Sequence, residues 1–436
     1  VKTQHEHSRL VRGVRCVASP GSSSPPPARQ HSSVAGLLGT VLLAMHAVIR
    51  KRQGLPWEPE VSKGLSKNST HLTNVAAIPN FQPLAEDELT VAHGWLAHPK
   101  LVREITSHLL TLQQKALSKM LEMMAAPRHI ASFLLAGCVP ALNVACKGDD
   151  AEVRRLATVT LGRLAREDAG RKEMIAKKSI PALVERAGDS DADVRCAAFE
   201  AVASLVVTLE GLTACHEGGF IKVTVDRCTA AGGESEPSVQ LAALGALHQL
   251  CKNDPGAGAA IECGAIEMCI QVLEHGTEGM REQAAFCLTT LTVEQEKKKM
   301  AMEQSVMIAL IMLLHPSKPL AVKTAAACAL MTMCNGTRMS DGSNACKVTA
   351  IKEGAIDALV PLLQEGLQHE LAKTMTHETS ALTVYVTKCI AALSDSPIGR
   401  KQLQAALGDL EALAQSDEPL VKKHATIAVQ RVKWSP

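Results

Sequence analysis

The sequence predicts an all-α chain built as a repeat solenoid of about eight units behind an irregular N-terminal extension. Two observations predict it. The first is a twelve-position pattern, clearest as VRCAAFEAVASL from Val194 to Leu205, whose first position recurs at Leu112, Val153, Val194, Val239, Met280, Val322, Leu382 and Val421. Steps of 41, 41, 45, 41, 42, 60 and 39 residues mark an internal period, which overrides the two or three globular domains that 436 residues would otherwise suggest. The second is composition: 46% of the residues are apolar but only 2% aromatic. That blend of Ala, Leu, Val, Met and Cys suits closely spaced helices better than strand sandwiches.

Residues 1–44 carry no periodicity and are rich in Ser, Pro and Arg, so they are expected to be a disordered or non-native extension, with native translation beginning at or after Met45, the first methionine. The apolar run Val34–Ile49 is sixteen residues long with two glycines and a histidine, short of the ~20 that a membrane span needs. Its charges, Arg50, Lys51 and Arg52, follow the run rather than precede it as in a signal peptide. No membrane partner is therefore expected. Residues 45–95 form an irregular arm in which Phe81, Leu84, Leu89 and Trp95 are too apolar for a free tail. The arm packs on the solenoid end or on a partner, with Trp95 its candidate contact, or else is a loosely held loop.

The solenoid itself is expected over 96–436. Each unit reads as a short helix, a tight junction, a second helix, a loop and a long third helix that carries the pattern. The junction appears in LLAGCVPAL, AKKSIPAL, HEGGFIKV, IECGAIEMC and IKEGAIDAL, with Gly137, Gly219, Gly264 and Gly354 at the turn. Acidic caps, KGDDAEV, GDSDADV and GESEPSV, precede the third helices. Within the pattern, positions 1, 5, 9 and 12 share one helical face. Position 5 is Ala in seven of eight copies (Val386 is the exception), as expected where two backbones approach closely. The 60-residue step between Val322 and Leu382 exceeds its neighbours by about 19 residues. That is too few for a ninth three-helix unit, so a bulge is expected, part of it in the turn-favouring Asn335–Lys347 and the rest in Gln364–Ser380, which could extend a helix or form a loop.

The recurring G-[ACS]-[IV]-x-x-L junction followed by V-[RKQ]-x-x-A-x-x-x-L-x-x-L resembles the armadillo repeat over Leu96–Val432, rather than the two-helix HEAT unit. A narrower resemblance rests on AHGWLAHPKL, LQQKALSKMLEMMAAPRHIASFLLAGCVPAL, DDAEVRRLATVTLGRLAREDAGRKEM and SPIGRKQLQAAL with VKWSP. These segments are similar to the radial spoke head 14 family of the ciliary axoneme. That resemblance implies a non-catalytic structural subunit in the cytoplasm and the axoneme of the cilium or flagellum, with other radial spoke proteins, long helical scaffold subunits among them, as partners.

In an armadillo solenoid the third helices line a concave groove, and positions 4, 7 or 8, and 11 point toward a ligand. Importin-like members place Trp at position 7 and Asn at position 11. Here position 7 reads Ser118, Val159, Glu200, Gly245, Phe286, Cys328, Lys388, Ile427, with no Trp. Position 11 reads Glu122, Arg163, Ser204, Gln249, Thr290, Thr332, Ala392, Arg431, with no Asn. The basic residues are too scattered for a catenin-like groove. The candidate partner-binding residues are Lys115, Glu122, Arg163, Gln249, Gln283, Phe286, Tyr385, Lys388 and Arg431, for an amphipathic or extended segment of a scaffold protein.

Other function classes find little support. A net charge of +2 with one Tyr and three Trp offers neither a phosphate-binding field nor stacking platforms, so no nucleic acid partner is expected. There is no GxGxxG, GxxxxGK[ST] or GxSxG, and each HE dipeptide lacks a second histidine at metal-ligand spacing. Cys263 with Cys269, and Cys328 with Cys334, have five residues between them, more than a zinc knuckle uses. The fourteen cysteines sit singly and mostly inside the helical pattern, as small hydrophobes in a reducing, cytosolic compartment. The sequence thus predicts a non-enzyme without catalytic residues, metal, cofactor or small-molecule substrate. Its two readings are a radial spoke subunit and a soluble cytosolic adaptor that recognises a peptide or client protein reversibly.

Overall fold

All eight copies of the pattern are helices: Leu110–Met123, Ala151–Ala165, Ala192–Leu205, Pro237–Leu250, Glu278–Leu291, Leu320–Cys334, His377–Leu393 and Pro419–Lys433, each packed along the next. The computed structural model describes residues 88–90, 92, 94–229, 234–336 and 342–434. The expectations for residues 1–44, the run Val34–Ile49, Phe81 and Leu84 fall outside the described residues. Among those that are described, every regular element is helical. The pattern dictates this packing. All eight residues at position 5, from Ala116 to Ala425, have no exposed surface. Two of the three predicted acidic caps operate, since the Asp150 and Asp191 carboxylates accept the amides of Val153 and Val194, the first pattern positions of their helices, whereas Glu236 of GESEPSV makes no side-chain cap bond.

From the second unit on, each third helix is preceded by two α-helices. Pro127–Leu135 and Cys138–Ala145 meet at 87°, and Asp254–Glu262 and Ala265–His275 at 75°. The bend is made by one left-handed residue at the junction, with φ of +74° at Gly137, +75° at Gly219, +85° at Gly264 and +84° at Gly354. Lys178 (φ +55°) and Ser305 (φ +63°) occupy the same place in the third and sixth units, against the preference of L side chains.

A second device lies outside the twelve-position window. Six residues after the last pattern position stands a glycine: Gly170 after Leu164, Gly211 after Leu205, Gly256 after Leu250 and Gly399 after Leu393. A methyl on any of these four would run into the carbonyl of that leucine. Glycine here lets the first helix of a unit start hard against the end of the preceding third helix. Two of them are followed by an arginine that ties the joint: Arg171 Nη1 donates to the Ala165 and Arg166 carbonyls (2.9 and 3.0 Å), and Arg400 Nη1 to those of Ser394 and Asp395 (2.9 and 3.1 Å).

Neighbouring third helices touch through position 8, which corrects the expectation that this position faces a ligand. A Cβ on Gly162 would lie 3.2 Å from the Ala201 Cα. The Cys287 and Cys389 thiols sit 3.4 and 3.2 Å from the Leu244 and Ala327 carbonyls of the preceding third helix. From the second unit on, position 8 (Thr160, Ala201, Ala246, Cys287, Ala329, Cys389, Ala428) is buried. The side chains must be small because the neighbouring backbone occupies the space.

Buried ion pairs join the second, third and fourth units. Arg154 meets the Asp189 carboxylate through Nε and Nη2 (2.7 and 2.8 Å), and Arg186 Nη1 donates to it at 2.8 Å. One unit further on, Arg195 meets Glu234 in the same two-pronged way, 2.7 Å at each nitrogen, while its Nη1 donates to the Asp189 carbonyl at 2.9 Å. Burial pushes the Asp189 and Glu234 carboxyls up. The arginine and amide hydrogen bonds outweigh it, so both lie below their ordinary values.

The long step between Val322 and Leu382 holds no ninth unit, and of the stretch expected to bulge, Gln364–Ser380, all but a mostly exposed turn over 372–376 is taken up by longer helices. The second helix of that unit runs over Ala355–Leu371 and the third over His377–Leu393, each 17 residues. The added turns are packed: Gly366 is buried against Thr383. Glu370, 9% exposed, accepts the Asp417 amide of the next unit at 3.0 Å. Of the second expected stretch, Asn335–Lys347, Gly342 onward belongs to the first helix, Gly342–Lys352, and residues 337–341 fall outside the described residues.

Two measurements check this packing. Gly211→Ala should lower the unfolding free energy by about 1–3 kcal/mol through overpacking, whereas Gly245→Ala, with open space around its Cβ, should raise it by about 0.4–1 kcal/mol. Urea titration reads both, and equal shifts would contradict the joint. Asp189→Ala should cost about 3–5 kcal/mol at neutral pH by leaving buried guanidinium groups unpaired. Because the folded carboxyl titrates below its unfolded value, its contribution is complete above the unfolded pKa of about 4 and disappears as pH falls through the folded value. Stability measured from pH 6 to 2 should therefore fall less steeply in the variant than in the parent.

Candidate partner-binding groove

The open side of the third-helix row is built from positions 7 and 11, most of which are exposed or half-buried, and its chemistry changes along the row. The first stretch carries both charges. Lys115, Ser118, Lys119 and Glu122 with Glu152 border a cavity of about 450 Å³, and Arg163, Arg166 and Glu200 border one of about 480 Å³ over Gly162, Ala197 and Ala201. Lys119 and Glu122 are paired at 2.9 Å.

The middle stretch is aromatic and uncharged. His248 and Phe286 have ring centroids 5.9 Å apart, and the His248 Nδ1 is hydrogen-bonded to the Phe286 carbonyl at 3.1 Å. Burial, and then the charge of Lys252, hold His248 below its usual value, so it is neutral at physiological pH. Gln249 and Gln283 are half-buried beside it. Further along, burial and the neighbouring Cys328 push the Tyr385 hydroxyl above its ordinary range.

The last stretch is basic. The Lys388 ammonium lies 5.5 Å from the Tyr385 ring centroid. With His424, Arg431, Met331, Asn335 and Ile427 it borders a cavity of about 340 Å³ floored by Ala391 and Ala392.

The nine predicted groove residues thus share one face but fall into three groups rather than one site: Lys115, Glu122 and Arg163; Gln249, Gln283 and Phe286; Tyr385, Lys388 and Arg431. Two of them have a second role. Arg163 Nε donates to the Met124 carbonyl (3.2 Å) and Arg431 Nη1 to that of Ala391 (3.2 Å), each reaching back to the C-terminal turn of the preceding third helix. His248 and Arg166 are groove residues that the 4, 7, 11 reading missed. They stand at positions 10 and 14, and continuing the face one turn past position 11 would have found Arg166.

At the solenoid's beginning, Leu89 packs against the core and borders an apolar cavity of about 190 Å³ with Ala92, Ala97 and Leu101. Trp95, in a single 3-10 turn Gly94–Leu96, is 75% exposed.

The described cysteines are free thiols. Burial pushes Cys146 up to about 11, and Cys138, Cys215 and Cys334 up to about 12, so these four remain protonated and weakly nucleophilic at neutral pH. Among the described residues no group of three or more His, Cys, Asp or Glu could hold a metal ion. Nor, among them, is any single helix long and apolar enough to cross a membrane.

Comparison with known proteins agrees with this architecture. The HEAT repeat family matches residues 180–209, the second and third helices of the third unit. An engineered protein of known structure superposes with a TM-score of 0.67 at 22% identity, covering 78% of this chain and 79% of that one. A designed armadillo repeat protein, solved with the peptide (KR)4, superposes at 0.51 and 20% identity over 54% of this chain and 99% of that one. The fold is an armadillo-type solenoid. In sequence, the chain is similar to radial spoke protein 14 of Chlamydomonas reinhardtii, 29% identical over 161 residues, which is 36% of this chain and 42% of that protein.

Proposed function

We propose that this armadillo-type chain is a structural, non-catalytic subunit of the radial spoke in motile cilia, holding neighbouring spoke proteins in its third-helix groove. The similarity to radial spoke protein 14 carries the assignment. The groove supports it physically: a rigid row of helices presents aromatic anchors at Phe286 and Tyr385 between two charged stretches, the arrangement in which buried aromatics supply affinity and rim charges supply register. The protonated thiols described above suit a passive component. The partners in this reading are long helical scaffold subunits, which can follow the groove over several units. A reversible cytosolic adaptor would use the same groove without remaining in the axoneme.

Detergent extraction of cilia separates the two. The protein should stay with the extracted axoneme, and release into the soluble fraction would favour the adaptor. Phe286→Ala, introduced into cells lacking the parental copy, should weaken retention by about tenfold or more, as expected for an interface aromatic worth at least 1.4 kcal/mol. Melting of the purified variant separates lost contact from lost folding. Undiminished retention of a folded Phe286→Ala protein would remove the groove from the interface.

A further inference from the structure

The three stretches of the groove differ in how their charges are compensated. At the first, carboxylates and cations stand together: Glu122 and Glu152 beside Lys115 and Lys119, and Glu200 beside Arg163 and Arg166. At the last no carboxylate among the described residues borders the cavity, whose polar residues are Lys388, His424, Arg431 and Asn335. Asp395, which is bound to Arg431, is already divided between two cations, Lys347 at 2.8 Å and Arg431 at 3.4 Å. Lys388 is in contact with a ring and with no carboxylate among the described residues.

Among the described residues the Arg431 guanidinium is held from one side only. Both of its hydrogen bonds, to the Ala391 carbonyl and to Asp395, leave from Nη1, so Nε and Nη2 are open to an incoming acceptor. The cavity floor is Ala391 and Ala392, small enough to let a side chain descend between the two cations. The charges of Lys388 and Lys423, after burial, also keep His424 below its usual value, as a local excess of positive charge requires.

From this geometry we infer that the last three units bind an acidic segment of a partner protein, one of whose carboxylates sits between Lys388 and Arg431. The inference rests on the reading of the third-helix groove as the docking face and adds the sign of the partner's charge and its direction along the groove. Adjacent residues of the partner then lie over Tyr385 and Phe286, so the matching segment pairs a carboxylate with apolar side chains toward the middle of the solenoid. Recognition of this kind weakens with salt, because the cations lie at an open rim.

The test uses the full chain and two fluorescein-labelled octapeptides, one alternating Glu and Leu and one alternating Lys and Leu, with binding followed by fluorescence anisotropy at two salt concentrations. The Glu peptide should bind more tightly than the Lys peptide and weaken as salt is raised. Lys388→Gln should weaken it severalfold, and Lys388→Glu by about tenfold or more. Lys401→Glu, in the first helix of the last unit, should leave it unchanged, with melting temperatures confirming that each variant is folded. Equal binding of the two peptides, insensitivity to both changes at Lys388, or no binding of the Glu peptide would each overturn the inference. None of these results decides the radial spoke reading, which is tested separately by retention of the unchanged protein in detergent-extracted axonemes.

Discussion

Contact between neighbouring third helices sets the terms for the rest of the molecule. Where Gly162 meets Ala201, there is no room for a larger side chain between the two helices, and at Cys287 and Cys389 a thiol lies directly against a main-chain carbonyl. Helices this close must present small residues at position 8, leaving positions 7 and 11 to form the open face. The groove is consequently shallow and floored by alanine and glycine, and its specificity resides in a few longer side chains that rise from it. The same tightness explains the glycines that let each first helix begin against the end of the preceding third helix. A solenoid that shortens one spacing must shorten the next.

Much of this was legible in the sequence, and the boundary of legibility has a physical cause. The pattern exposed every third helix because burial of one face imposes a period that survives substitution: Ala116, Ala157 and Ala198 occupy one environment in three units. The junction glycines and acidic caps were equally visible, since both answer to local backbone chemistry. Position 8 was misread because Ala, Thr and Cys are small enough to stand on an open surface or between backbones. The arginine pairs escaped because Arg154 and Asp189 are 35 residues apart, and no local rule links a helix to the loop of the following unit. Gly211 and Gly399 escaped for a simpler reason, as they lie beyond the twelve positions whose recurrence was followed. The extra length before Leu382 was rightly judged too short for a unit. Gln364–Ser380 was open to either a longer helix or a loop, and it holds both: two helix ends, packed through Gly366 on Thr383 and Glu370 on the last unit, with a turn between them.

Core and groove have diverged in character. The core repeats almost without change from Val153 to Val432, while the groove passes from balanced charge through aromatic to basic within the same row of helices. Repetition serves stability, since each unit must present its neighbour with the same buried surface. Variation along the open face gives the row a polarity, so a bound chain could not be reversed without setting its charges against the wrong end. Radial spoke protein 14 of Chlamydomonas resembles this chain over 161 residues, and the 22%-identical engineered protein superposes over 78% of it.

The buried arginines have a consequence for how the chain comes apart. Arg154 belongs to the second unit and its carboxylate to the third, while Arg195 of the third is answered by Glu234 of the fourth. A unit that opened alone would strand a guanidinium in one neighbour or a carboxylate in the other, each still within a low-dielectric interior. Nearest-neighbour coupling in a linear array then becomes strong relative to the intrinsic stability of one member. These three units should melt as a single cooperative block, and fraying that begins at either end of the solenoid should meet a threshold when it reaches them.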